Sequence, residues 1–289
     1  MSRIAFVNGR YVPQAKAQVH VEDRGYQFAD GVYEVAFVLG GRMVDEPGHL
    51  ARLSRSLEAL AMAMPMTEAA LGAVLRETIA RNRLVDGIVY VQINRGVAPR
   101  AHAFPKGPLR PSIVVTVKLM PVPRDADTWA GVAVVTLPDL RWKRVDVKTV
   151  GLLANCMAKQ AAAEARAYEA WMVDDQGLVT EGASTNAWIV DGEGRTVTRP
   201  LGPDILPGIT RDVVLRLARA HGVPVIERAF TVVEAKAARE AFLTSTTSFV
   251  RPVISIDGQT IGNGATGSVT RKLLGLYLDH ARGAGLAAA

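Results

Sequence analysis

Short apolar runs broken by turn residues open the chain, and that pattern predicts strands. "RIAFVNGRYV" reads as a hairpin around Asn8-Gly9, the favoured two-residue turn. "GVYEVAFVLGGRMV" predicts a second hairpin, turning at Gly40-Gly41. The period then changes. Leu50, Leu53, Leu57, Leu60 and Met64 recur at spacings of three and four, the mark of an amphipathic helix. Leu71, Val74, Leu75 and Ile79 mark another. "IVYVQINRG" and "SIVVTVKLM" are rich in β-branched residues and predict strands.

"MPVPRDADTW", residues 120–129, has two prolines, several charges and no apolar period, so it predicts a linker. The boundary is placed near residue 122, giving an N-terminal domain over 1–121 and a larger C-terminal domain over 122–289. Beyond it, "GVAVVTL" reads as a strand and "LLANCMAKQAAAEARAY" as an Ala-rich helix. Strands are expected at 170–173, 187–190 and 195–198. Thr210 is placed to cap a helix running to His221, with Gly222 at its end. "TVVE", 231–234, is a capping-box pattern opening another helix. "AFLTSTTS" is a strand entering a polar turn, and "ARGAGLAAA" a frayed tail. The mixture argues α/β or α+β, and periodicity alone does not choose the sheet topology.

Composition narrows the picture. The 289 residues are 49% hydrophobic, enough for a large core in one or two domains. A net charge of +6 raises the question of nucleic acid. The basic residues are scattered, however, and no nucleic-acid module accompanies them. Small anions fit that charge better. The single cysteine, Cys156, excludes an intrachain disulfide and a multi-thiolate metal site within one chain. The five histidines show no metal-binding spacing. No apolar run reaches membrane-spanning length, and the N-terminal stretch lacks a long apolar segment, so the expectation is a soluble cytoplasmic protein.

Several residues carry candidate chemistry. Glu181 in "LVTEGASTNAWIV" stands between two apolar runs, where a lone carboxylate is costly unless something positive meets it. Lys148 lies between an extended segment and the Ala-rich helix. A lysine taken at random is an exposed one, but at such a boundary the side chain can project into a cleft. Apolar neighbours there favour the neutral amine, a nucleophile toward a carbonyl. "LPGIT", 206–210, opens a helix whose free N–H groups suit phosphate. "TSTTS", 244–248, adds hydroxyls, and Arg52 flanks its helix's apolar stripe, where it offers a fixed cation; taken alone, an ordinary surface arginine is the stronger reading. In "RGVAPRAHAFP", Arg100 and His102 are two apart between prolines. On an extended backbone they point the same way and form a carboxylate trap; the alternative is a solvated loop. A lysine nucleophile, a phosphate cradle and a carboxylate together suggest pyridoxal phosphate, with Glu181 facing its protonated ring nitrogen.

The motifs "YQFADGVYEV", "HLARL", "RGVAPRAHAFP", "DVKTVGLLANCMAKQ", "VTEGASTN", "LPGITRDVV" and "TSTTS" resemble, in order and over nearly the whole chain, the D-amino-acid transaminases. These belong to the fold-type IV pyridoxal-phosphate enzymes, which also include the branched-chain aminotransferases. The resemblance implies that Lys148 is the Schiff-base lysine and Glu181 the partner of the pyridine nitrogen. It implies phosphate anchors at Arg52, the backbone of Ile209 and Thr210, and Thr246, with Leu206 packing near the ring. Tyr33, Arg100 and His102 match the trap for the substrate α-carboxylate. In the family the Arg and His come from the neighbouring subunit, which implies a homodimer. The implied fold is a smaller N-terminal α/β domain and a larger C-terminal domain with a barrel-like sheet, with the cofactor between them. The implied reaction is ping-pong transamination between a D-amino acid and an α-keto acid such as 2-oxoglutarate. In "EGASTN", where relatives are richer in serine, Ala183 offers no hydroxyl and Thr185 is bulkier. On the same scaffold the rivals are an L-branched-chain aminotransferase, an aminodeoxychorismate lyase and an R-selective amine transaminase. A non-catalytic binder of anions or nucleic acid is the rival of a different class.

Overall fold

A computed structural model describes residues 3–107, 109–123 and 125–283. They form two compact units. The first comprises the chain up to Val122 together with Val147–Gly151; the second comprises Pro123–Asp146 and the residues from Leu152 onward.

The first unit contains β1 (Ile4–Val7), β2 (Arg10–Pro13), α1 (Arg24–Phe28), β3 (Gly31–Leu39), β4 (Arg42–Met43), α2 (Glu46–Ala59), α3 (Glu68–Arg81), β5 (Gly87–Asn94) and β6 (Ser112–Leu119). Its six-stranded antiparallel sheet has the order β2-β1-β6-β5-β3-β4. Both predicted hairpins form. Asn8 and Gly9 take φ of 48° and 95°, the left-handed pair that a tight hairpin turn needs. Alternation then sorts the side chains. Val32, Ala36 and Val38 of β3 and Val89, Val91 and Ile93 of β5 join Leu53, Leu57, Leu71, Leu75 and Ile79 of the helices in one core. Tyr33, Tyr90 and Gln92, offset by one residue, lie on the other face of the sheet. Helix α2 ends at Ala59, so Leu60 and Met64 follow it rather than extend it, though both still pack on this core.

Residues 147–151 join the first unit although they follow residue 122 in the chain. They belong to the first unit because they complete an open strand edge. Strand β4 covers only Val38 and Leu39 of β3. The start of β3 is paired instead by Tyr33 N donating to Lys148 O and Val150 N donating to Gly31 O, both at 3.0 Å. Val147 enters the first unit's core.

The second unit contains β7 (Val132–Pro138), α4 (Leu153–Glu164), β8 (Glu169–Val173), β9 (Val179–Gly182), β10 (Asn186–Val190), β11 (Thr196–Thr198), α5 (Ile209–Ala220), β12 (Val225–Glu227), α6 (Val232–Lys236), β13 (Glu240–Ser245), β14 (Phe249–Ile256), β15 (Gln259–Thr260) and α7 (Ser268–Arg282). The sheet runs β12-β11-β10-β13-β14-β7-β8-β9, with β15 on β14. Edge strand β9 also touches the interior strand β10, so the sheet curls back on itself into the expected barrel-like form. Its core gathers Val134, Trp171, Ile189, Phe230 and Leu243. Helix α4 seats Ala158 and Ala162 against Ala170 and Met172. Two details differ from the sequence reading. Gly208, not Thr210, is the N-cap of α5, without a side-chain cap, and Thr210 is buried in the first turn. Strands β9 and β14 and helix α7 are additions to the predicted elements. The end of the expected frayed tail, 284–289, lies outside the described residues. No helix among the described residues is long and apolar enough to cross a membrane.

Candidate active site

The first unit brings Lys148 to Tyr33, whereas Arg52 lies with Glu34 on the helix-facing side of the sheet. Backbone pairing with β3 fixes where Lys148 leaves the chain. Its amide also lies 3.4 Å from the hydroxyl of Ser56, one turn after Arg52 on α2. Lys148 Nζ donates to Tyr33 Oη at 3.3 Å and sits 4.3 Å from the Tyr33 ring centroid. Tyr33 stacks on Tyr90 at 5.6 Å. Tyr90 donates to Gln92 Oε1 at 2.8 Å, and Gln92 passes the chain of bonds to Asn94. Burial, reinforced by Tyr33, pushes the Tyr90 hydroxyl up to about 12, so it stays a donor.

Arg52 is buried, and Glu34 holds it. Its Nε and Nη2 donate to the two Glu34 oxygens at 2.7 and 2.9 Å, a bidentate pair. His49 Nδ1 hydrogen-bonds Glu34 Oε2 at 2.8 Å. Burial alone would raise the Glu34 pKa. The charge and hydrogen bonds of Arg52, with those of His49, outweigh burial and lower it to about 2. A guanidinium clamped in this way is a rigid cation on the helix-facing side of the sheet.

Arg100 and His102 share a loop and are exposed. The Arg100 guanidinium lies 4.8 Å from the Phe28 ring centroid, and the His102 ring lies 5.5 Å from it. Buried Arg24 fastens this loop, donating to the Ala101 carbonyl at 2.6 Å and to Asp30 at 2.7 Å. Arg95 also binds Asp30, at 2.8 Å, and stacks on Phe104 at 3.7 Å. Arg100 and His102 are thus presented outward on an anchored loop.

In the second unit, Glu181 lies in β9 and is buried. It accepts Arg141 Nη1 at 2.5 Å, Asn186 Nδ2 at 2.8 Å and the Leu206 amide at 3.1 Å. Asn186 also donates to the Leu206 carbonyl at 3.0 Å. The acid is thereby tied to the segment that starts α5. A Cβ on Gly208 would sit 2.1 Å from Asn186 Oδ1, so only glycine allows this approach. With no side-chain cap, the first-turn amides of α5 suit an anion. Thr246 lies in the turn after β13, whose Ser245 hydroxyl accepts Ser248 N at 3.0 Å. Thr185 Oγ1 is buried without a hydrogen-bond partner, an unmet donor of the kind a ligand satisfies.

Sequence reasoning missed Arg141, Asp139, Glu34, His49 and Asn186. Arg141 is the cation that meets Glu181. Asp139 binds it through Nε at 2.9 Å and Nη2 at 2.7 Å. Burial disfavours charge on Arg141, but its bonds to Asp139 and the charge of Glu181 raise its pKa. Burial also opposes ionisation of Asp139, and Arg141 nevertheless holds it below its ordinary range. Forty residues separate Arg141 from Glu181, and no local pattern joins them.

Comparison with known proteins gives these features a context. Residues 31–256 match the family described as Amino-transferase class IV. The D-alanine aminotransferase of Bacillus licheniformis is 42% identical over 267 residues, 92% of this chain and 93% of that protein. That of Staphylococcus haemolyticus is 38% identical over 269 residues, 93% and 94% of the two chains. Among solved structures, the T.th. branched-chain amino acid aminotransferase complexed with N-(5'-phosphopyridoxyl)-L-glutamate is 26% identical, with a TM-score of 0.87 over 99% of this chain and 96% of that one. The branched-chain aminotransferase of Thermoproteus uzoniensis with norvaline gives the same identity and TM-score, over 99% and 97%. The chain belongs to the class IV aminotransferases.

Proposed function

We propose that this chain is a pyridoxal-phosphate-dependent D-amino-acid aminotransferase, moving the amino group between a D-amino acid of the D-alanine type and an α-keto acid such as 2-oxoglutarate. The likeness to D-alanine aminotransferases over nine-tenths of the chain carries this reading. The residues present suit the cofactor: an uncapped helix start for its phosphate, a buried carboxylate for its ring nitrogen, and a lysine held by a tyrosine for its aldehyde.

When bound, the cofactor supplies an aldehyde that takes up the amino group and a ring that accepts the electron pair left at the α-carbon. The rest falls to the protein. Lys148 would hold the aldehyde through its Nζ and, as a free amine, would take the substrate α-proton and return it. Tyr33 steadies the lysine Nζ between these tasks. Glu181 would accept a hydrogen bond from the proton-bearing ring nitrogen and so keep it protonated. Arg52, the Ile209 and Thr210 amides and Thr246 would hold the phosphate, with Leu206 near the ring. Tyr33, Arg100 and His102 grip the substrate carboxylate and so choose which hydrogen faces Lys148.

Arg100 and His102 act on the site of a second copy. Their exposure on a fastened loop supports a homodimer, as does the exposed apolar pair Leu153 and Met157, one turn apart on α4. The lone cysteine suits the proposed cytoplasmic location. The fold of the branched-chain enzymes favours one alternative, an L-branched-chain aminotransferase. Pyruvate formed from D-alanine, against keto acid formed from L-leucine, with 2-oxoglutarate as acceptor, separates the two. D-alanine is the expected substrate, and preference for L-leucine overturns the reading.

A further inference from the structure

Glu181 is held by a cation that another acid already claims. Asp139 takes Arg141 by both oxygens, and Asp139 Oδ1 also accepts the Arg141 backbone amide at 3.1 Å. The remaining arm, Nη1, reaches Glu181. Thr180 Oγ1 donates to Asp139 Oδ2 at 2.7 Å, and Arg141 Nη2 reaches the Asp204 carbonyl at 3.3 Å. The three charged side chains are 11%, 4% and 5% exposed, in the order Asp139, Arg141, Glu181. The guanidinium is therefore fixed in place, and what varies is how its charge divides between two carboxylates.

That division has a chemical consequence. A guanidinium beside a carboxylate steadies the anion and weakens it as an acceptor for any further N–H. The more of Arg141 that Asp139 takes, the stronger an acceptor Glu181 remains. We propose that Asp139, through Arg141, sets the acceptor strength of Glu181 toward the ring nitrogen of the cofactor. Asp139 and Arg141 are positioning residues. This rests on the proposed role of Glu181 and deepens it.

The test uses the holoenzyme and two readouts: the cofactor dissociation constant and the NMR resonance of the ring-nitrogen proton. Asp139→Asn keeps the shape, removes the charge and throws Arg141 wholly onto Glu181. It is expected to weaken cofactor binding by about tenfold and to erase the resonance. Adding Arg141→Met to that variant removes the competing cation and is expected to restore both readouts toward wild type. A merely structural role makes the double variant no better than the single. Thr180→Val, which removes a donor from Asp139 Oδ2 and a weak acceptor from Arg141 Nη2 without touching charge, leaves Asp139 the stronger partner of Arg141; it is expected to move the resonance downfield and carries the test alone if Asp139→Asn does not fold. An unchanged Asp139→Asn, an unrescued double variant or a silent Thr180→Val overturns the proposal. Glu181→Gln is run beside them. If it loses the resonance while Asp139→Asn keeps it, only this inference fails. If Glu181→Gln also keeps it, the role of Glu181 itself is wrong.

Discussion

Lys148 and Glu34 show how single residues carry the account. Lys148 Nζ donates to Tyr33 Oη at 3.3 Å. Its replacement by alanine removes the proposed covalent anchor and the proposed base together. Lys148→Ala is expected to lower turnover of D-alanine at least ~1,000-fold, within the range of a lost general base. A steady-state assay without added amine checks this, and wild-type turnover contradicts it. Glu34 governs stability at acid pH. Its pKa is about 2 in the folded chain against an ordinary 4.5. A depressed carboxylate contributes stability that is complete above 4.5 and is lost as the pH falls toward 2, here about 3 kcal/mol. Urea unfolding between pH 5 and 2 is expected to show that loss in the wild type and not in Glu34→Gln. Parallel curves for the two contradict it. Neither Glu34 nor Arg141 was legible in the sequence, because each meets its partner across strands and helices distant in the chain. Lys148, Glu181 and the Arg100–His102 pair stood out in the sequence, because each sits in a distinctive local stretch.

At the scale of elements, the start of α5 is the most exacting contact. Gly208 has an ordinary φ of −65°, so the demand for glycine there is steric alone. Asn186 cannot yield without dropping its bonds to Glu181 and to the Leu206 carbonyl. Gly208→Ala is expected to cost about 1–3 kcal/mol, as overpacking does, and to weaken cofactor binding. Thermal melts and cofactor titration check both effects; a variant with wild-type stability and affinity contradicts the contact. Elements were readable where one face is wet, or where an apolar run is unbroken as in β10, which is buried at all five positions. The two hairpins and helices α2 and α3 showed their periods because polar residues alternate with apolar ones. Strand β9 is buried at all four positions, so its alternation vanishes. Helix α7 lies within reach of the sequence, since Leu273, Leu274, Tyr277, Leu278 and Ala281 follow the helical period and are buried.

At the scale of the whole molecule, the account requires two chains for each site. Lys148→Ala and Arg100→Ala subunits are each expected to be nearly inactive on D-alanine. Mixed and reassociated, half the dimers are hybrids, and each hybrid keeps one intact site, so activity is expected to recover to about a quarter of wild type. No recovery on mixing contradicts a shared site. Arg100→Ala is also expected to spare amines that lack a carboxylate, which a rate comparison on the two substrate types tests. The central claim, that this chain transaminates D-amino acids with a lysine-held cofactor, is tested most directly by one measurement. The purified protein is mixed with D-alanine or with L-leucine, and the near-visible cofactor absorbance and the keto acid released are followed together. The account predicts a rapid absorbance change with matching pyruvate for D-alanine and little for L-leucine; a faster response to L-leucine, or no cofactor absorbance at all, contradicts it.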